Sequence, residues 1–149
     1  MGILAVALTM TSCSRQTIYS HYENISSDGW LRSDSVCFDI SPVHEGGLFS
    51  ETIGLRLTRQ YQFMNLSLII FQQTSSSQQQ RTDTLNISIM DEHGQMLGDG
   101  INYYQYNMPL KDILLSDGDS LHVTVTHMMR RENLNGISNI GLSLEKKSR

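Results

Sequence analysis

The chain has 149 residues, of which 39% are hydrophobic and 17% are charged. This length suits one domain, and this composition is typical of a globular protein rather than a disordered one. The formal net charge of -4, with the basic residues scattered along the chain, argues against binding to nucleic acid, which requires a clustered basic surface. No apolar run after Ser14 approaches the roughly 20 residues of a transmembrane helix.

The N-terminal segment has the pattern of a lipoprotein signal peptide. Residues 1–12 contain no charged side chain, residues 3–8 form a short apolar run, and the small pair Thr11-Ser12 precedes Cys13. An apolar run this short that ends in small residues is typical of a signal peptide, and the cysteine that follows resembles a bacterial lipobox. We therefore predict that residues 1–12 are removed and that the Cys13 thiol is acylated, although Met10 replaces the usual leucine. The alternative is a first strand or helix of the domain, with Cys13 in the core.

The second cysteine is consistent with this interpretation. If Cys13 is lipidated, only Cys37 remains, and the exported protein has no internal disulfide. Because Cys37 stands between Val36 and Phe38, we expect a strand thiol packed against the core. Each buried CH₂ group of an acyl chain contributes about 0.8 kcal/mol, so two or three chains on Cys13 would anchor the protein stably to a lipid bilayer.

The mature chain divides into a tether and a domain. Residues 13–28 comprise the acylated cysteine and a polar, irregular stretch, which we interpret as a tether. From Gly29-Trp30 to residue 149 the apolar residues recur with a period of two, and such alternation gives one buried and one solvated face in antiparallel sheets. Six strands are predicted on the apolar series Val36/Phe38/Ile40, Ile53/Leu55/Leu57, Leu66/Leu68/Ile70, Leu85/Ile87/Ile89, Leu121/Val123/Val125 and Ile140/Leu142/Leu144.

The connecting segments complete the predicted fold. Turn-forming residues separate the strands, and further strands are expected near residues 29–31 and 101–106. The pattern indicates an all-β protein, an antiparallel β-sandwich of jelly-roll type. Residues 109–115 (PLKDILL) are the one helix candidate, since proline suits a first helical turn. The Ser/Gln-rich residues 72–81 are predicted to form a mobile, exposed loop.

No catalytic, cofactor-binding or metal-binding residue is predicted. The five histidines are spread along the chain without metal-ligand spacing, and we expect each of them at the surface. His122 and His127 lie five residues apart in a strand and should point to opposite faces. The aspartates of the turns, Asp91, Asp99 and Asp117 among them, do not follow the EF-hand pattern, so they are expected to accept local hydrogen bonds.

One aromatic cluster is typical of carbohydrate-binding proteins. Tyr103, Tyr104 and Tyr106 lie close together, and tyrosines on a sandwich face stack on sugar rings, which would make the protein a carbohydrate-binding module with a glycan as ligand. The alternative is that they are core and edge residues of a strand.

Four stretches of the chain are specific enough for comparison with known families. They are Gly29-Trp30 followed by VCF at residues 36–38, LRLTRQYQFMNLSL at 55–68, DEHGQMLGDG at 91–100 and HMMRRENLNGISNIGLSLE at 127–145. These stretches resemble the gliding motility lipoprotein GldH family of the Bacteroidota. The closing pattern of the family falls on Met129-Arg130, Leu134, Gly136-Ile137 and Ile140-Gly141-Leu142.

This resemblance implies a non-catalytic envelope lipoprotein associated with gliding motility, bound to a bilayer through acylated Cys13 and to envelope proteins. We expect Gly136 and Gly141 to be required by the backbone, and Arg130 to be either a buried charge partner or an exposed contact. Ser14-Arg15-Gln16-Thr17 contains no acidic residue after Cys13, which favours the periplasmic face of the outer membrane over the cell surface.

Overall fold

The computed structural model describes residues 15–76 and 79–148, so the predicted signal peptide and Cys13 lie outside the described residues. Within these ranges the chain forms strands and no helix, and therefore no helix that is long and apolar enough to cross a membrane. The strands are β1 (Gln16–Asn24), β2 (Trp30–Leu31), β3 (Val36–Ile40), β4 (Gly47–Leu57), β5 (Asn65–Thr74), β6 (Gln80–Ser88), β7 (Tyr104–Pro109), β8 (Ile113–Leu115), β9 (Leu121–His127), β10 (Asn133–Leu134) and β11 (Ile137–Lys146).

Two antiparallel sheets make up most of the fold. The first sheet has the order β1-β11-β4-β7, with β8 paired to the start of β4, and the second has the order β3-β9-β5-β6. The short strands β2 and β10 pair separately. The buried side chains of both sheets form one hydrophobic core, which confirms the predicted all-β sandwich. The jelly-roll topology stays a prediction.

The alternating apolar residues face the core as predicted. Ile53, Leu55 and Leu57 are fully buried in β4, and the series in β3, β5, β9 and β11 are buried in the same way. In these five strands the period-two pattern therefore identified the inward faces correctly.

The two ends of the sandwich differ in what they carry. We call the end at which β1 begins the near end and the opposite end the far end. At the near end Gln16 of β1 pairs with Lys146 at the end of β11, and the start of β4 pairs with β8. Residues 41–46 and 116–120 connect the sheets there, and the Val43 amide donates to the Asp119 carbonyl at 2.9 Å. At the far end lie the connections 25–35, 58–64, 89–103 and 128–136.

The prediction of a tether over residues 13–28 is wrong for β1. Residues Gln16–Asn24 pair with β11 along the edge of the first sheet. The sequence pattern did not reveal this strand because most of its side chains are exposed and polar. An edge strand contributes backbone hydrogen bonds without an apolar face, so its pairing leaves no apolar periodicity in the sequence.

The predicted helix at residues 109–115 is also absent. Pro109 ends β7, and Ile113–Leu115 forms β8, paired with Gly47–Phe49. Ile113 and Leu115 are buried while Leu114 between them is exposed. This is a period of two, which a stretch of three residues was too short to establish.

The Ser/Gln-rich residues 72–81 are not a mobile loop throughout, because β5 extends to Thr74 and β6 begins at Gln80. Gln72 is buried and donates to both carboxylate oxygens of Glu51, at 3.1 and 3.0 Å. Arg81 donates to Glu51 Oε2 at 2.6 Å and lies 2.7 Å from Asp83 Oδ2. Burial raises the pKa of Glu51, and the contacts with Gln72 and Arg81 oppose this shift. Polar side chains of this segment thus join the two sheets.

Candidate functional site: the far end of the sandwich

A buried aromatic pair holds the far-end connections together. Trp30 of β2 and His127 of β9 meet edge to face with ring centroids 5.2 Å apart, and both are buried. The Trp30 indole donates to the Asp34 carbonyl at 3.1 Å, which closes the turn before β3. The expectation that every histidine lies at the surface is therefore wrong for His127, whereas His122 points outward as expected.

His127 is held in one neutral tautomer. Its Nε2 lies 3.1 Å from the Trp30 carbonyl, which only accepts, so Nε2 carries the proton. The Met129 amide donates to Nδ1 at 3.3 Å. Burial lowers the pKa of His127, because the imidazolium would be poorly solvated here. This histidine joins β2 to the start of the connection 128–136.

Gly136 allows a second close contact. Its φ is +89°, and a Cβ at this position would lie 2.2 Å from the Tyr61 amide nitrogen. The Thr58 amide donates to the Gly136 carbonyl at 2.8 Å, and the buried Tyr61 donates its hydroxyl to the Asn65 carbonyl at 2.8 Å. The connections 58–64 and 128–136 are thus packed backbone against backbone, which confirms that Gly136 is a backbone requirement.

The connection 89–103 is also tied to its neighbours. Asp91 Oδ1 accepts hydrogen bonds from the amides of His93 and Gln95, both at 2.9 Å. This is the local role expected of the turn aspartates. The Tyr106 hydroxyl donates to the Ile89 carbonyl at 2.7 Å, and the amides of Ile89 and Met90 donate to the Met64 carbonyl. This long connection is therefore ordered against the connection 58–64 and β7.

The far end carries most of the exposed large apolar side chains in the described part of the chain. Six of the nine belong to its connections or to β2, and the other three belong to the near end. Ile101 is 79% exposed and Tyr103 is 59% exposed. The far-end set is Leu31, Met64, Leu97, Ile101, Tyr103 and Met128.

Sequence reasoning identified only Tyr103 from this set. The signal that could have identified Leu97 and Ile101 is a large apolar residue in a segment of turn composition. These two residues lie among, or just after, the glycines and aspartates of residues 91–100.

Arginines lie among these apolar residues. Arg59, Arg130 and Arg131 are exposed, and the Arg59 guanidinium lies 5.6 Å from the Tyr104 ring centroid. Within the described ranges Arg130 forms no ion pair. It is therefore the exposed side chain of the two alternatives, and its role as an interaction residue stays a prediction.

The three tyrosines do not form a platform for a sugar ring. Tyr104 and Tyr106 are 6% and 7% exposed and belong to the core, while Tyr103 points to solvent. Tyr104 and Tyr106 share the inward face of β7, whereas Tyr103 lies just before this strand in the connection 89–103. The structure supports the alternative of core and edge residues.

A polar cluster occupies the outer face of the first sheet. Tyr22 of β1 lies across Gly54 and Gly141, where an added Cβ would come within 2.2 and 2.6 Å of its side chain. The Arg56 guanidinium stacks 3.9 Å from the Tyr22 ring centroid, and Gln105 donates to the Tyr22 hydroxyl at 2.8 Å. Gly141 is therefore required by the close approach of an aromatic ring. This cluster fixes β1 to the sheet.

Metal-binding and reactive groups are not gathered at the far end. Among residues 15–76 and 79–148 no group of three His, Cys, Asp or Glu side chains is placed to hold a metal ion. The expectation that Cys37 packs against the core is wrong, because its thiol is exposed on the outer face of β3 and lies 3.9 Å from the Thr124 hydroxyl. The far end is thus a surface of exposed apolar and arginine side chains on ordered connections.

Comparison with known proteins identifies the family. The model of the GldH lipoprotein family matches residues 17–144, so the chain belongs to the GldH lipoprotein family. A relative, the gliding motility lipoprotein GldH of Flavobacterium johnsoniae, is 24% identical and is matched over 97% of this chain and 94% of its own length.

Solved structures resemble this chain only distantly. The Eiger TNF from S. frugiperda has a TM-score of 0.36 at 16% identity and covers 90% of this chain and 94% of its own. The dimeric latent PorU from Porphyromonas gingivalis has a TM-score of 0.39 at 6% identity, over 95% of this chain and 14% of its own. Similarity at this level supports no argument about the function of this chain.

Proposed function

We propose that this protein is a non-catalytic interaction component of a gliding-motility-type assembly in the cell envelope. Acylated Cys13 anchors it to a bilayer, and the far end of the sandwich binds envelope proteins. One observation carries the proposal: exposed apolar side chains are concentrated on the far-end connections, with exposed arginines beside them. Aromatic residues, methionine and arginine are the residue types enriched in protein interfaces.

The placement of the family stretches supports the same surface. Residues 58–64, which fall within the stretch 55–68, and residues 91–100 form far-end connections, and the stretch 127–145 begins there. The hydrogen bonds of Tyr61, Asp91 and His127 order these connections before any partner binds. A binding surface that is already ordered loses less conformational entropy on association.

Site-specific photo-crosslinking in the native host tests this proposal. A photoreactive residue at Leu97 or Ile101 should give adducts with envelope proteins. The matched controls are Thr52 and Ser143, which pair on the outer face of the first sheet and should give few adducts. Recovery of the protein alone from all four positions, or equal adducts from both surfaces, would contradict the proposed role of the far end.

We further propose that the protein occupies the periplasmic face of the outer membrane. The support is the sequence Ser14-Arg15-Gln16-Thr17, which has no acidic residue directly after Cys13. Protease added to intact cells should leave the protein uncut, and cutting should begin once the outer membrane is permeabilised. Rapid loss from intact cells would place it on the cell surface instead.

A further inference from the structure

The near end lies very close to the anchor position. The first strand begins at Gln16, three residues after Cys13. Three residues span at most about 10 Å even when fully extended. With Cys13 acylated, as the proposed function requires, the start of β1 is confined to the head-group region of the bilayer. The near end cannot stand away from the membrane on a long tether.

This end also has its own exposed apolar side chains. Leu48 is 43% exposed and Leu114 is 68% exposed, and the two pair directly across β4 and β8. Paired residues of antiparallel strands point to the same side of the sheet. Because Phe49, Ile113 and Leu115 are buried in the core, the two leucines form one apolar patch on the outer face of the first sheet. Ile18, at the irregularity between Thr17 and Tyr19 in β1, is 36% exposed at the same end.

Basic groups lie near this patch. The Lys147 amide donates to the Leu48 carbonyl at 2.9 Å, and the Lys147 side chain forms an ion pair with Asp112. Lys111 is exposed in the connection between β7 and β8. Arg15, at the same end directly before β1, is 84% exposed, and its guanidinium lies 4.0 Å from the Glu145 carboxylate. Cationic side chains that flank apolar ones suit the boundary between phospholipid phosphates and acyl chains.

We propose that the near end rests on the lipid bilayer, with Leu48 and Leu114 inserted among the head groups and with Arg15 and Lys111 beside the phosphates. The occupant of this patch is the membrane that holds the acyl chains of Cys13, because the spacer keeps the start of β1 within about 10 Å of Cys13 and the patch lies at the same end of the sheet as that strand start. β4 has eleven residues, so the far end is held up to about 35 Å from the bilayer. The sandwich thus leans on the membrane with the outer face of its first sheet at the near end, and it presents its far end to partners.

Fluorescent labelling of the full-length, acylated protein tests this inference. Cys37 is replaced by serine, and single cysteines at positions 114, 48 and 101 are labelled with an environment-sensitive dye. The proteins are reconstituted into vesicles of phosphatidylethanolamine and phosphatidylglycerol and floated on a density gradient. The dye at 114 should shift its emission to shorter wavelength and be quenched severalfold by lipids that carry a quencher in the upper acyl chain. The dye at 101, on the far end, which carries more exposed apolar side chains than the near end, should show neither effect.

The outcomes separate the two proposals. Protein that floats with the vesicles while the dyes at 114 and 48 remain as exposed to water as the dye at 101 would overturn the membrane contact and leave the anchor intact. Protein that does not float would overturn the anchor, and with it both proposals. Position 48 provides the second measurement if the variant at 114 does not fold.

Discussion

Replacement of Gly136 by alanine should destabilise the protein far more than the same change at Gly118. Both glycines have positive φ, +89° and +82°, and a Cβ at Gly118 would meet nothing within 4 Å. The backbone penalty for alanine in this conformation is about 1 kcal/mol, which both variants share. At Gly136 the new Cβ would also lie 2.2 Å from the Tyr61 nitrogen and 2.7 Å from the Gln60 carbonyl carbon. Backbone atoms cannot rotate away, so overpacking adds about 2 kcal/mol.

Urea unfolding measures this difference. Trp30 is the single tryptophan and is buried beside the affected connection, so its fluorescence follows the transition. With a slope of about 2 kcal/mol per molar urea, Gly136→Ala should lower the midpoint by about 1.5 M and Gly118→Ala by about 0.5 M. Gly94→Ala is a second control, since Gly94 also has positive φ and open space. Equal losses in all three variants would show that the far-end connections are not packed as tightly as we infer.

Three further predictions concern the buried polar groups and the outer face of the first sheet. Arg81→Met leaves Glu51 buried without its cation, and the free energy of unfolding should fall by about 3 kcal/mol near pH 8. Because the pKa of Glu51 is raised, the loss of stability in this variant should be smaller at low pH, where Glu51 is protonated, and larger as pH rises through that pKa. A loss of stability that is independent of pH would contradict this reasoning. His127 has a lowered pKa, so the stability that the neutral imidazole contributes is present above its unfolded-state pKa of about 6.5 and is lost as pH falls below that pKa. His127→Gln should therefore flatten the dependence of the free energy of unfolding on pH between about pH 5 and 7. An unchanged pH dependence would argue against a buried neutral imidazole. Gly141→Ala should lower the free energy of unfolding by about 1–2 kcal/mol because it displaces the ring of Tyr22. This loss should largely vanish in a Tyr22→Ala background. Additive losses in the double-mutant cycle would show that the ring does not lie on Gly141.

Two of the differences between the sequence-based predictions and the structure have a common cause. The strand β1 lacks apolar alternation, so its sequence predicts a tether, and Gln72 and Arg81 are polar, so their segment predicts a loop. In both cases the decisive interaction joins residues distant in sequence. Arg81 pairs with Glu51 across the core, and Tyr22 of β1 packs on Gly54 and Gly141. Such pairings leave no local pattern in the chain.

The residues of the candidate site also divide into those that the sequence predicted and those that it did not. The sequence identified Gly136 as a backbone requirement and Tyr103 as an interaction candidate, and the structure places both at the far end. It did not show that Tyr104 and Tyr106 are buried, nor that Leu97 and Ile101 are exposed. Exposure depends on which strands and connections cover a side chain, which is decided only when the sheets assemble.

The sequence by itself determined the all-β class, the inward faces of the main strands and the family, because period-two alternation and motif spacing are local properties of the chain. Only the tertiary structure decided the distinction between the two ends. Antiparallel pairing places the start of β1, β8 and the end of β11 together at the near end, beside the predicted anchor, and gathers four distant connections at the far end. The proposed contact with the bilayer and the proposed contact with partner proteins both follow from that pairing, because it determines which exposed apolar side chains lie beside Cys13 and which lie far from it.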